Sequence, residues 1–260
     1  MFDGLKRLRL KILFNHLWSA VYMLPSLLFR ERYAYTEEIK GLLRDGFHLS
    51  QKKLLTTEQC AQLRDRIDEY IASDKVDVWT DPSGAENRIY FINHLDKEFG
   101  DLFELSYLRD VLKGYLGISK PVGMLQARKI CINEPYLAGD IHWHRDSIFF
   151  RQLKVACNLS NPGDAPTLQI IRSSHQLRDA LKAVWHRVFK PFKTRFSNSE
   201  IDGYLKNSQN ELVEFGGKPG QIFFVDSKAI HRSCPVTYDR YVLVWHFWPK
   251  SIPDQYSALN

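Results

Sequence analysis

The sequence is short of several things, and each shortage narrows the field. It has only four cysteines in 260 residues, Cys60, Cys131, Cys157 and Cys234, with no CxxC pair among them. A disulfide framework needs denser, regular spacing, so the thiols read as reduced and the setting as cytosolic. No small-residue cleavage site follows the basic-then-apolar N-terminus, where Leu27-Leu28-Phe29-Arg30-Glu31 stands instead. A secretory signal is thereby excluded. There is no clean apolar run long enough for a bilayer core of roughly 30 Å. Residues 12–29 are interrupted by Asn15, His16, Ser19, Pro25 and Ser26. Internal repeats and low-complexity tracts are missing too, which removes solenoids and disordered tails.

What is present is a sheet former's composition. Aromatics make up 13% of the chain and gather in runs such as Phe149-Phe150, Phe223-Phe224 and Trp245 to Trp248. Such side chains pack well on a pleated surface. The first half carries helical segments, at Glu37–Arg44, at 58–72 with Thr57 as N-cap, and at Leu102–Tyr115 with Gly117 as stop. Residues 80–88 read as a loop. After Pro121 short strand-like runs alternate with turns: Val122–Asn133, Ile141–Ser147, Val155–Ser160, Leu168–Ile171, Leu212–Phe215, Gln221–Val225 and Tyr241–Phe247. Seven such runs at this spacing predict a mainly β protein, a jelly roll, with N-terminal helices. Residues 34–260 form that domain, with a helical insertion at 176–210, and residues 1–33 form a separate amphipathic helix.

The run His142-Trp143-His144-Arg145-Asp146 carries the most chemistry. On a strand, alternate side chains share a face, so His144 and Asp146 point the same way. His231, beyond the apolar run Gln221–Val225, supplies a third ligand. Two imidazoles and one carboxylate make a facial triad suited to Fe(II), because three adjacent coordination positions stay open for other ligands, O2 among them. Arg240, nine residues after His231, can grip the far carboxylate of a dicarboxylate cosubstrate with two parallel hydrogen bonds. An H-x-D triplet alone is weak, since each histidine taken separately reads better as a surface or satisfied core residue. The ordered set outweighs that reading. Gln126 and Arg128 share a face on the preceding strand, and His142, His246 and Trp248 share parity with site residues.

These residues resemble a family. Gly46-Phe47 through Leu55-Thr56-Thr57-Glu58-Gln59-Cys60 is similar to the opening of phytanoyl-CoA dioxygenase-like proteins. Trp143–Ser147, Ala165–His175 and Phe223–His231 are similar to its later blocks. The resemblance covers about residues 45–248. It implies a double-stranded β-helix core, and oxidative decarboxylation of 2-oxoglutarate coupled to hydroxylation of an organic substrate. It also gives Gln126 and Arg128 a place near the cosubstrate. Arg172-Ser173-Ser174-His175 departs from the family's Pro-Gly-Ser-His, which would bring Arg172 near the substrate.

Net charge is +6, and two segments hold all of the excess. Residues 1–33 carry six basic against two acidic side chains, and residues 178–195 six against one. In the first, Leu10, Leu13, Leu17, Val21 and Leu24 form an apolar stripe beside Arg7 and Lys11. A stripe of this kind suits either an anionic membrane surface or the protein's own core. The second reads as a lid with a basic face, or as a further headgroup-binding surface. Nucleic acid is the weaker partner, since positive charge alone attracts any polyanion. Together these features resemble membrane-associated hydroxylases of 3-deoxy-D-manno-octulosonic acid (Kdo) in lipopolysaccharide, peripheral on the cytoplasmic face of the inner membrane. A soluble metabolite is the alternative substrate. Two rivals stand further off: a binuclear metallohydrolase, whose H-x-H-x-D pattern fits but whose alternating strands and helices do not, and a jelly-roll binding module without turnover.

Overall fold

The computed structural model describes residues 36–257, apart from residues 74, 133–140, 148–150, 162, 164, 186–187, 191–192 and 236–237. The basic helix expected at 1–33 lies outside the described residues. Helix α1 (Glu37–Asp45) starts at the Thr36 cap and ends where Gly46 turns left-handed at φ 87°. That turn releases strand β1 (Phe47–Lys53). Helix α2 (Thr57–Ile71) is capped by Thr56, one residue earlier than expected, because Thr56 and Gln59 complete a reciprocal capping box. A hairpin of β2 (Val78–Thr80) and β3 (Glu86–Ile89) replaces the expected loop at 80–88. Its turn is held by the Asp81 carboxylate, which accepts from the Glu86 amide at 2.8 Å and the Ser83 hydroxyl at 2.6 Å. The single helix expected at 102–115 is two, α3 (Lys97–Phe103) and α4 (Ser106–Leu116), and the second stops at Gly117 as read.

The strands after Pro121 follow the sequence closely: β4 (Gly123–Ile130), β5 (Leu153–Asn158), β6 (Leu168–Ile171), β7 (Leu212–Phe215), β8 (Gln221–Asp226) and β10 (Arg240–Phe247), joined by a short β9 (His231–Ser233). Between β6 and β7 the insertion forms α5 (Leu177–Trp185) and α6 (Asn198–Asn207), helical in both halves rather than the first alone. A turn, α7 (Asp254–Ser257), closes the described chain. The strands make two antiparallel sheets, ordered β1-β8-β5-β10-β4-β3-β2 and β7-β6-β9. This is the jelly roll.

The period of two along the strands decides what each face meets. Leu243, Trp245 and Phe247 of β10 join Val155, Phe224 and the α1–α4 side chains in one large core. Val242 and Val244 turn the other way, toward Ala156, Phe223, Val225 and Ile170 in the space between the sheets. Arg240 and His246 have the parity of Val242 and Val244, so they too belong to the inter-sheet space. One expected strand is absent. Ile141–Ser147 is a loop with an isolated bridge at His144, to His231 on one side and Arg195 on the other. Its backbone is stitched to three separate segments instead of one neighbouring strand. The His144 amide donates to His231 O, that of Arg145 to Thr194 O, and that of Asp146 to Ser227 O, all within 3.0 Å. His142 is accordingly exposed, without inward parity.

Candidate active site

His144, Asp146 and His231 come together at the edge where this loop crosses β9. One ligand atom from each lies within 4.8 Å of the others, and His144 Nε2 stands 3.6 Å from Asp146 Oδ1. Both imidazoles are oriented by their own backbone. His144 Nδ1 is 2.8 Å from His142 O, and His231 Nδ1 is 2.8 Å from Ala229 O. A carbonyl only accepts, so Nδ1 carries the proton on each ring and Nε2 keeps its lone pair for a cation. Burial, with His231 close by, lowers the pKa of His144 to about 3, which keeps the ring neutral. Burial alone would raise Asp146. The Lys154 ammonium overrides it and holds the carboxyl well below the usual range, ionised. Two imidazole nitrogens and one anionic oxygen are the donor set that suits a ferrous ion.

Lys154 is the residue the sequence did not reveal. Its ammonium lies 2.6 Å from Asp146 Oδ2, the oxygen turned away from His144. The strand expected at Val155–Ser160 begins two residues earlier, and Lys154 shares inward parity with Ala156. Parity was the signal, hidden by the late start.

From this centre a cleft runs between the sheets, lined by His144 and His231 near its mouth and by Thr167, Ser233 and Arg240 along its wall, with Ala156, Leu168, Phe223, Val225, Val242 and Val244 as apolar lining. Arg240 is 4% exposed, and its Nη1 donates to Thr167 O at 3.2 Å. Arg128 also lines the cleft, but its Nε donates to Glu86 Oε1 at 2.5 Å. Glu86 is wholly buried and accepts from Arg88 as well. Gln126 is buried on the same face opposite Val244 and is not among the cleft-lining residues. Arg172 sits away from the cleft, held by Asp45 at 3.0 Å and Glu211 at 3.1 Å, so the departure from Pro-Gly-Ser-His does not bring it to substrate. His246 lines the cleft, while Trp248 packs beside it with Phe91 and Met124.

The helical insertion covers the metal-side loop. Trp143 is buried with Ala183, Phe189, Phe196, Ile201 and Tyr204. Among the described residues, these apolar side chains of the insertion pack on the protein itself.

A jelly roll with this donor set in its mouth defines a non-haem iron, 2-oxoglutarate-dependent oxygenase. The chain belongs to the phytanoyl-CoA dioxygenase (PhyH) family, whose model matches residues 42–240. No curated protein sequence matches it. Among solved structures it is similar to the carbocyclase SnoK of nogalamycin biosynthesis, described as non-haem and α-ketoglutarate dependent. That likeness has TM-score 0.60 at 11% identity and covers 88% of this chain and 92% of the other. AviO1 from Streptomyces viridochromogenes Tue57 gives 0.52 at 17% identity over 83% and 96%. HygX from Streptomyces hygroscopicus, solved with nickel and 2-oxoglutarate bound, gives 0.54 at 12% identity over 84% and 88%. At such identities these likenesses show the shared fold.

Proposed function

We propose that His144, Asp146 and His231 hold Fe(II), that Arg240 anchors the distal carboxylate of 2-oxoglutarate, and that the chain hydroxylates an organic substrate at the mouth of the barrel. The observation that carries this is the convergence of three donors within 4.8 Å on a cleft that also holds Arg240. Bound iron would supply oxygen activation coupled to decarboxylation of the cosubstrate. The chain's own residues do the rest. The His142 and Ala229 carbonyls fix the two imidazoles, and Lys154 occupies Oδ2 of Asp146 so that Oδ1 is the oxygen offered to the metal. The planar fork of Arg240 matches a carboxylate in register. Val225, Val242 and Val244 give the space between an apolar lining.

For the substrate we infer a sugar acid, Kdo, carried on lipid A at the cytoplasmic face of the inner membrane. The support is the basic, aromatic composition of residues 1–33 and 178–195. Burial of Ala183, Phe189, Phe196, Ile201 and Tyr204 around Trp143 favours a second reading, a soluble metabolite, because those side chains are not offered to a membrane. The test is incubation with lipopolysaccharide, Fe(II) and 2-oxoglutarate, followed by mass analysis of the released sugar. Gain of one oxygen supports the lipid-linked substrate. Succinate release without modified sugar sinks it.

A further inference from the structure

His246 is 5% exposed, lines the cleft, and has a buried Nε2 that makes no hydrogen bond within the protein. A buried nitrogen without a partner is destabilising, and in a cleft wall a ligand can satisfy it. Which hydrogen it carries can be read from its neighbours. Gln152 turns its Oε1 to the Ser227 hydroxyl at 3.1 Å and its amide nitrogen toward His246. Gln152 Nε2 then donates to His246 Nδ1 at 3.3 Å. With Nδ1 accepting, the ring proton sits on Nε2, and the imidazole presents a donor. Directly across the sheet, His246 pairs in register with Lys154. An ammonium has three donors, and Asp146 takes one of them. The charged side chains lining the cleft are all cations: Arg128, Lys154 and Arg240. Arg128 is matched by Glu86, and Arg240 serves the cosubstrate. At Lys154 and His246 donors therefore remain in excess of acceptors.

We propose that His246 and Lys154 form a second oxyanion site, separate from Arg240, that takes a carboxylate or phosphate group of the primary substrate. This rests on the reading of His144, Asp146 and His231 as the metal centre, since that centre sets which end of the cleft the substrate enters. The neutral imidazole donates one hydrogen bond and the ammonium supplies the charge. Gln152 acts as a positioning residue through the tautomer it imposes.

The experiment titrates protein loaded anaerobically with Fe(II) and 2-oxoglutarate, by calorimetry, with D-gluconate, inorganic phosphate and neutral D-glucose. Gluconate or phosphate should bind wild type, and glucose should not. A preference between the two anions identifies which oxyanion the site takes. His246→Phe keeps the ring against Trp248 but loses the donor, and should weaken anion binding at least tenfold. His246→Asn restores an N–H and should recover most of that loss. Gln152→Leu frees the tautomer and should weaken binding by a smaller factor. Affinity for 2-oxoglutarate, measured on the same samples, should stay within about twofold throughout, which also reports that each variant is folded. Equal anion binding by wild type and His246→Phe overturns the proposal, as does binding of no anion to wild type. A loss of 2-oxoglutarate affinity in His246→Phe overturns it too, by assigning the donor to the cosubstrate. Failure of wild type to take up Fe(II) and 2-oxoglutarate at the outset contradicts the metal-centre reading itself.

Discussion

At the scale of single residues, the site depends on where protons and forks are placed. Arg240→Lys keeps the charge and loses the planar pair of donors. A charge-assisted bond of this kind is worth about 1.5–3 kcal/mol, so KM for 2-oxoglutarate should rise by about tenfold or more while Fe(II) binding survives. An unchanged KM would move the anchoring role elsewhere, and Arg128 is already committed to Glu86. The candidate ligands are legible in the sequence because their types and order are restrictive, even though no strand gives them a shared face. His144 and Asp146 converge from a loop, not a strand, because backbone bonds to His231, Thr194 and Ser227 hold that loop in place. Lys154 was not legible. A lone lysine at a strand end reads as solvated, and only the tertiary arrangement shows it against Asp146.

At the scale of elements, period and caps were readable where the apolar pattern was strong. β4, β5, β6, β7, β8 and β10 alternate or run apolar, and they were found within two or three residues at each end. β3 (Glu86-Asn87-Arg88-Ile89) and β9 (His231-Arg232-Ser233) are short and largely polar, so their pairing is dictated by the edges they meet rather than by their own side chains. The cap of α2 shows how close the alternatives lie. Thr56 and Thr57 are both N-cap formers, and Gln59 decides between them because its Oε1 accepts from the Thr56 amide at 2.9 Å. Thr56→Ala should therefore cost ~1 kcal/mol in urea denaturation, whereas Thr57→Ala should cost only a few tenths. The reverse order of effects would return the cap to Thr57.

At the scale of the whole molecule, burial of neutral histidines links stability to pH. His144 is lowered to about 3 by burial and by His231, burial also lowers His175, and it lowers His246 well below its ordinary value. In the unfolded chain these rings take up protons near 6.5, while the folded rings refuse them, so acid favours the unfolded chain. The contribution is intact above about pH 6.5 and is lost progressively as pH falls toward the folded values. The metal-free protein should show a falling urea midpoint between about pH 6.5 and 5, before most carboxylates titrate, and a flat midpoint there would contradict neutral burial. Residues 1–30 should act on location, not chemistry. Their removal should release the protein from anionic vesicles, leave 2-oxoglutarate turnover nearly intact, and lower activity on a lipid-linked substrate far more than on its soluble fragment. Unfolding or aggregation of the truncated chain would show that Leu10, Leu13, Leu17, Val21 and Leu24 pack on the protein's own core. The central claim is the metal centre, and the most direct measurement of it is Fe(II)-dependent succinate release from 2-oxoglutarate under oxygen, with Fe(II) binding followed in parallel, for wild type and for His144→Ala, Asp146→Ala and His231→Ala. Wild type should bind Fe(II) and release succinate, and each variant should bind Fe(II) more weakly and fall to background. Full activity in Asp146→Ala, or no succinate from iron-loaded wild type, would contradict it.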